Sequence, residues 1–211
     1  MDKNQEHLEA IRDIRTLMER SSRFLPLSGL SGMLIGVWAL GCTAIAYSIL
    51  GIAIKDPGYH TLLMENGQLN SSSFPLLMAD FMLALLAALS TGLLMAMRKA
   101  KKMKLPVWDA TAKRMLANLA IPLVAGGIYC LILLYLGEIV LIAPATLLFY
   151  GLALVNASKY TIAELRFLGI LEIATGLMAT LFADYGLLFW ATGFGILHIV
   201  YGILIYNKYE K

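Results

Sequence analysis

Charged residues are scarce in this 211-residue chain, and so are cysteine and histidine. Only 15% of the residues are charged, whereas a soluble domain carries about a quarter. The two cysteines, Cys42 and Cys130, lie in different apolar runs, and no Cys/His spacing resembles a zinc site. No nucleophile–base arrangement, phosphate-cradling loop or two-carboxylate motif occurs either. The sequence therefore predicts a non-enzymatic protein with no catalytic residues, no metal and no cofactor.

Long apolar runs take the place of those missing features. The chain is 59% hydrophobic with a mean hydropathy of +0.74, and six of its runs are long enough to cross about 30 Å of hydrocarbon. Each run must be helical, because an open strand would leave backbone groups unpaired in lipid. The sequence thus predicts an all-α membrane protein with six transmembrane helices. The predicted spans are 24–54, 74–97, 116–136, 139–156, 165–183 and 185–207.

The basic residues are distributed on one side of these spans. Of the 17 Lys and Arg residues, all but Lys55 fall in the N-terminal segment, the loops 98–115 and 157–166, or the C-terminal tail. Because cytoplasmic loops carry an excess of Lys and Arg, both termini are predicted to be cytoplasmic. Residues 1–23 are charged throughout, so we expect no cleavable signal peptide.

Two basic or amphipathic segments are predicted to lie at the cytoplasmic face. Residues 1–22 form a polar helix with a broad apolar face, which either lies on the membrane surface or pairs with a partner helix. The loop 98–115 holds seven basic residues against one acid, Asp109. Membrane orientation and contact with anionic lipid explain that loop more simply than nucleic-acid binding does. We therefore expect the lipid bilayer as a partner, no nucleic acid, and a cytoplasmic protein as a candidate partner of these two segments.

The apolar segments also repeat. The returning helices share an aligned glycine in LSTGLLMAMRKAKK (89–102), LFYGLALVNASKYT (148–161) and IVYGILIYNKYEK (199–211). The outgoing helices share another glycine column. The predicted domain 23–211 therefore consists of three parallel two-helix repeats, the hairpins 23–97, 116–156 and 165–207. The alternative is that apolar helices resemble one another simply because they use few residue types. Small residues at such columns allow helices to pack closely, and the predicted packing glycines are Gly32, Gly92, Gly127, Gly151, Gly176 and Gly202.

The last repeat resembles a known family. Gly169-Ile-Leu-Glu-Ile-Ala-Thr-Gly176, the turn Ala183-Asp184 and Gly195-Ile-Leu-His-Ile-Val-Tyr-Gly202 look like the two-helix repeat of HdeD-type acid-resistance membrane proteins. Asp184 stands where that family usually has a proline. The resemblance covers 165–207 and implies six helices in three hairpins, in a small bacterial inner-membrane (plasma-membrane) protein linked to stress.

Ionisable residues inside the predicted spans are the candidate functional residues, since they are costly in hydrocarbon. Glu172 lies roughly 9 Å and His198 about 13 Å from the cytoplasmic end, at the rise of an α-helix. The hairpin brings them to similar depth, where they either hold a proton, ion or ligand, or form a structural hydrogen bond. Asp80, in the second span, is a further candidate for this polar site.

Two functions follow from this reading. The first is a regulatory or envelope-stress protein of the inner membrane that contains a buried polar site. The alternative is a small channel or transporter for a proton, a cation or a small solute. Six short helices enclose little volume, which favours a homo-oligomer in either case.

Overall fold

The computed structural model describes residues 28–53, 58–65 and 68–211, and nearly all of them are helical. The predicted amphipathic helix at 1–22 lies outside the described residues. A π-helical segment, Ala191–Leu197, joins the last two helices into one continuous stretch. The helices are α1 (Gly29–Leu50), α2 (Ser73–Lys102), α3 (Ala110–Leu136), α4 (Ile142–Ala157), α5 (Glu164–Leu181), α6 (Gly186–Trp190) and α7 (His198–Tyr209).

Within the described residues, five helical stretches are long and apolar enough to cross a membrane: Gly29–Leu50, Ser73–Lys102, Ala110–Leu136, Ile139–Tyr160 and Ala183–Tyr209. The protein is therefore an all-helical, multi-pass membrane protein. The exception is α5, which has only 18 residues and carries Glu164, Arg166 and Glu172. That α5 also crosses the membrane stays a prediction.

Local chemistry explains where the helices end. α1 and α3 are followed by Gly51 (φ 65°) and Gly137 (φ 79°), whose left-handed conformation lets their N–H groups donate back to the last turn. α3 begins where the Asp109 carboxylate accepts from the Ala112 N–H at 2.6 Å. α2 continues past the predicted span end at 97 to Lys102, since basic side chains are favourable at a helix C-terminus.

The helices pack in two groups of three. α1 packs against α2 and α7, and α4 packs against α3 and α5. α6 and the π segment contact α4 and α5, and the π segment also contacts α1, so this stretch joins the two groups. Neighbouring helices of the first two predicted hairpins therefore pack together, whereas α5 packs mainly on α4. α2 and α3 lie at the periphery, with most of their apolar side chains exposed for contact with lipid.

The two ends of the bundle differ in character. The end that holds residues 98–114 is here called the basic end. At the opposite end, called the loop end, the segment between α1 and α2 contains short helical turns at Tyr59–Leu63 and an antiparallel pair of two-residue strands, β1 (Met64–Glu65) and β2 (Gln68–Leu69). The Gly58 N–H donates to the Asp184 carbonyl at 3.0 Å, which ties this segment to the turn Ala183–Tyr185 between α5 and α6.

Candidate functional site

The polar cluster of the bundle lies between α5 and α7. The side chain of Glu172 is 0% exposed and that of His198 is 4% exposed, and Glu172 Oε1 lies 3.3 Å from His198 Nδ1. The helices run in opposite directions, so the two residues meet at the same depth, as the hairpin prediction requires. A carboxylate and an imidazole are thus enclosed together in an apolar bundle.

The same eight-residue pattern carries both groups. Glu172 lies in Gly169-Ile-Leu-Glu-Ile-Ala-Thr-Gly176, and His198 occupies the matching position of Gly195-Ile-Leu-His-Ile-Val-Tyr-Gly202. Within each pattern the glycines approach a neighbouring helix: Gly169 meets Gly151 of α4, and Gly202 meets Gly29 of α1. The glycines therefore allow α5 to lie close to α4 and α7 to lie close to α1. In this arrangement Glu172 and His198 face each other.

Hydrogen bonds fix the orientation of the imidazole. Its Nε2 lies 2.8 Å from the hydroxyl of Tyr150, on α4, and its Nδ1 lies 3.1 Å from the Gly193 carbonyl oxygen. Because a carbonyl can only accept, Nδ1 carries a proton and is directed between that carbonyl and Glu172. In neutral His198, Nε2 then accepts from Tyr150. Tyr150 was not placed in this cluster from the sequence alone.

The π segment makes room for the carboxyl group. A Cβ atom at Gly193 would lie 2.5 Å from Glu172 Oε2, so a larger residue at this position would displace that oxygen. π-Helical turns are rare and are frequent at functional sites. The π segment is therefore part of the site. Gly193 and Gly195 both lie in this turn, but two closely spaced glycines do not by themselves predict a π turn.

Aromatic rings close one side of the cluster. Phe194 packs with its ring centroid 5.0 Å from that of Tyr150 and 4.9 Å from that of Trp190, and Trp190 contacts Phe81 of α2 edge to face. His198 stacks on Tyr150 with ring centroids 5.4 Å apart. These contacts surround the polar atoms with apolar surface, which strengthens electrostatic interactions inside the cluster.

Charge counting limits the protonation states of the cluster. Both Glu172 oxygens are buried and lack a hydrogen bond of good geometry among the described residues. An isolated carboxylate is very unfavourable in such a place. With one proton in addition to that on Nδ1, the pair is neutral overall, either as carboxylic acid and imidazole or as carboxylate and imidazolium. A neutral pair therefore contains one proton beyond the proton on Nδ1.

Asp80 lies at a different place. Its Oδ2 accepts from Cys42 Sγ at 3.2 Å across the α1–α2 interface, and no contact among the described residues joins it to Glu172 or His198. The sequence grouped these three residues because all are polar and inside predicted spans, but depth along a helix does not specify which side of the bundle a residue faces.

The predicted packing glycines fall into two groups, those that contact a neighbouring helix closely and those that do not. Gly32, Gly151, Gly176 and Gly202 lie against neighbouring backbone, whereas Gly92 makes only an ordinary contact with Ile35 and Gly127 has no neighbour within 4 Å. On α3 it is Gly126, one position away, that packs against Phe149. Adjacent residues on an α-helix point about 100° apart, since there are 3.6 residues per turn, so an alignment displaced by one residue selects the wrong face.

A second set of charged contacts joins the helices at the basic end. The Glu164 carboxylate, at the start of α5, accepts from Lys208 and from Tyr209 of α7. Glu210 accepts from the Gly29 N–H at 2.8 Å and from Lys99 Nζ at 2.9 Å, so it caps α1 and pairs with α2. Burial alone would raise the pKa of the Glu210 carboxyl, but these hydrogen bonds hold that pKa below its usual value. Sequence reasoning missed these contacts, which span more than 180 residues for Glu210 and Gly29.

No group of three or more His, Cys, Asp or Glu side chains that could hold a metal ion occurs in the described part of the chain. Comparison of the chain with protein-family models, with curated proteins and with solved structures gave no match. The class of the protein, an all-helical multi-pass membrane protein, rests on its helices. The resemblance to HdeD-type proteins stays a prediction from the residues of the last repeat.

Proposed function

We propose that the protein is a non-enzymatic, proton-responsive regulator of the bacterial inner membrane, and that the Glu172–His198 pair is its proton-binding site. One observation carries the proposal: a fully enclosed carboxyl group lies 3.3 Å from an equally enclosed imidazole. Ionisable side chains inside a membrane bundle usually mark a functional site. A stress-related role also agrees with the acid-resistance family that the last repeat resembles.

A change in proton number alters the charge of the site. The pair with one exchangeable proton is neutral, whereas a second such proton makes it a cation and loss of the only one makes it an anion. The charge would have little nearby compensation: Tyr150 is the titratable group that α4 contributes, and neither α6 nor the π segment contains one. α1 lacks Asp, Glu, Lys, Arg and His; its Cys42 pairs with Asp80, and its Tyr47 packs in the core at the loop end. An uncompensated charge in an apolar interior is unfavourable, so it weakens the packing of α5 on α7.

The same two helices would carry this change to the basic end. Glu172 lies eight residues from Glu164 along α5, and His198 lies ten residues from Lys208 along α7, which correspond to about 12 and 15 Å of helix. α5 and α7 are thus joined at two levels, by the buried pair and by Glu164 with Lys208. A movement of either helix at the buried level would change the separation of the charged groups at the basic end, which also holds most of the predicted partner segment 98–115.

Transport is the second candidate, and the paired pattern supports it. Glu172 and His198 occupy matching positions in two similar glycine-flanked motifs on antiparallel helices, and ionisable residues inside a membrane bundle often mark ion pathways. Proteoliposome flux of protons or cations separates the two functions. The regulatory proposal expects equal background flux for the wild type and Glu172→Gln, whereas flux that depends on Glu172 would establish transport.

Infrared spectroscopy tests the proton site directly. We expect a pH-dependent C=O band of a buried carboxylic acid in the wild-type protein, reconstituted in lipid. The band should be lost in Glu172→Gln and retained in Asp80→Asn, a matched change of the other carboxyl group within the predicted spans. Retention of the band in Glu172→Gln would rule out Glu172 as the proton carrier.

The regulatory part of the proposal needs a measurement at the basic end. Spin labels at Ala163 and Asn207, both exposed, report the separation of α5 and α7 in a background without Cys42 and Cys130. When Glu172 and His198 are both present, acidification should broaden or shift the distribution of distances between the two labels. The distance should stay fixed when Glu172→Gln and His198→Gln are combined. An identical response in both proteins would show that the site is not coupled to the basic end.

A further inference from the structure

The loop between α2 and α3 presents basic and apolar side chains together. Its basic residues are exposed, except for Lys99, which pairs with Glu210. Its one acid, Asp109, is occupied as the cap of α3. Among the described residues, no carboxylate pairs with Lys101, Lys102 or Lys104. The exposed basic residues are Arg98, Lys101, Lys102, Lys104, Lys113 and Arg114.

The backbone gathers three of these lysines into one turn. α2 ends at Lys102, and the chain reverses through hydrogen bonds from Lys104 N–H to Lys101 O at 3.2 Å and from Leu105 N–H to Ala100 O at 3.0 Å. Lys104 occupies the position after the helix end at which the backbone is often left-handed and glycine is the usual residue. Its backbone is left-handed, with φ 55°. The turn therefore holds a lysine where glycine would be less strained.

Exposed apolar residues accompany the lysines. Trp108 is 60% exposed, and Met103 and Leu105 are each about as exposed as the lipid-facing residues of α2 and α3. Those faces of α2 and α3 lead directly into the loop. Tryptophan and lysine together are typical of the boundary between lipid headgroups and acyl chains. A nucleic acid or a soluble acidic protein would use the charges but would have no use for the apolar tips beside them.

We propose that the turn Lys101–Lys102–Lys104, with Trp108, binds the phosphate headgroup of an anionic phospholipid. The lysines contact the phosphodiester and any further negative charge, and Trp108 enters the boundary of the acyl chains. This inference is independent of the Glu172–His198 site. It assigns the loop 98–114 to lipid and leaves segment 1–22 as the surface for a protein partner.

Native mass spectrometry of the detergent-solubilised full chain, titrated with phosphatidylglycerol and phosphatidylcholine, tests this inference. Each basic residue near an anionic surface is worth about 1 kcal/mol, so Lys101→Gln, Lys102→Gln and Lys104→Gln together should weaken phosphatidylglycerol binding about 100-fold. The matched control, Lys159→Gln with Arg166→Gln and Lys211→Gln, removes the same charge elsewhere and should change binding little. The triple Lys→Arg variant should bind like the wild type, which shows that loss of binding is not loss of folding.

Two further variants separate the contributions of charge, ring and backbone. Trp108→Ala should weaken phosphatidylglycerol binding severalfold while leaving its preference over phosphatidylcholine intact. Lys104→Gly should raise the unfolding temperature in phosphatidylcholine, because glycine relieves the left-handed turn, and yet weaken phosphatidylglycerol binding. Equal affinity for both lipids in the wild type would overturn the proposal. Displacement of phosphatidylglycerol by an equal concentration of inorganic phosphate would also overturn it. The same holds if an oligonucleotide binds more tightly than phosphatidylglycerol and the triple Lys→Gln variant abolishes that binding.

Discussion

Two contacts between ionisable side chains join α5 to α7, and they differ in burial and in position along the helices. Glu172 and His198 are enclosed, with exposed fractions of 0% and 4%. Glu164 and Lys208 lie at the basic end, where their side chains are 20% and 61% exposed. Water can compensate either member of the exposed pair, whereas the polar partners of the buried pair among the described residues are Tyr150 and the Gly193 carbonyl. The buried pair should therefore determine the proton response, and the exposed pair should only report it.

Removal of one member of the buried pair should have the largest effect. His198→Leu leaves the Glu172 carboxyl without its partner, and loss of one member of a buried pair costs about 3–5 kcal/mol of stability. Thermal unfolding in nanodiscs measures the loss. The double variant Glu172→Leu/His198→Leu should be more stable than His198→Leu alone, since no orphan group remains. A double variant that is destabilised by the sum of the two single changes would show that the residues do not interact.

The glycine contact beside the site should come next. A Cβ at Gly202 would lie 2.7 Å from the Gly29 carbonyl oxygen and 2.5 Å from the Met33 nitrogen, both backbone atoms that cannot rotate away. Gly202→Ala should displace α7 between the two ionic contacts and cost about 2 kcal/mol, as overpacking does. Gly127→Ala is the matched control. With no neighbour within 4 Å, it should be neutral or stabilising by up to about 1 kcal/mol, because alanine favours helix.

Glu210 tests the basic end through its pH dependence. Its carboxyl pKa is held below the usual value in the folded protein, so its stabilising contribution is present at neutral pH and is lost as pH falls through the folded-state pKa. Glu210→Gln keeps an oxygen that can accept from the Gly29 N–H but removes the charge that pairs with Lys99, so stability at pH 7 should fall by up to about 1 kcal/mol. The difference from the wild type should disappear in acid. A constant difference across the pH range would mean that the charge of Glu210 is unimportant.

The sequence predicts the helices well and their contacts poorly, for physical reasons. Apolar runs longer than the membrane is thick leave few alternatives to a helix, and depth counting correctly anticipates that Glu172 and His198 face each other at 3.3 Å. The rotation of each helix depends on packing, which explains the separation of Asp80 and the replacement of Gly127 by Gly126 at a helix contact. The π segment lies against Glu172 through Gly193, a contact between two helices that no local sequence pattern predicts.

The exposed contact should give the smallest effect and the most specific one. Lys208→Gln removes the charged partner of Glu164 but keeps a side chain that can donate a hydrogen bond, so the unfolding temperature should change little and the small change should vanish at high salt. The labelled distance between positions 163 and 207 should nevertheless become broader at neutral pH, because the contact that reports the buried site is weakened. The carboxyl infrared band of Glu172 should remain unchanged. If that band shifts in Lys208→Gln, the two contacts form one network, and the division between a responding pair and a reporting pair is wrong.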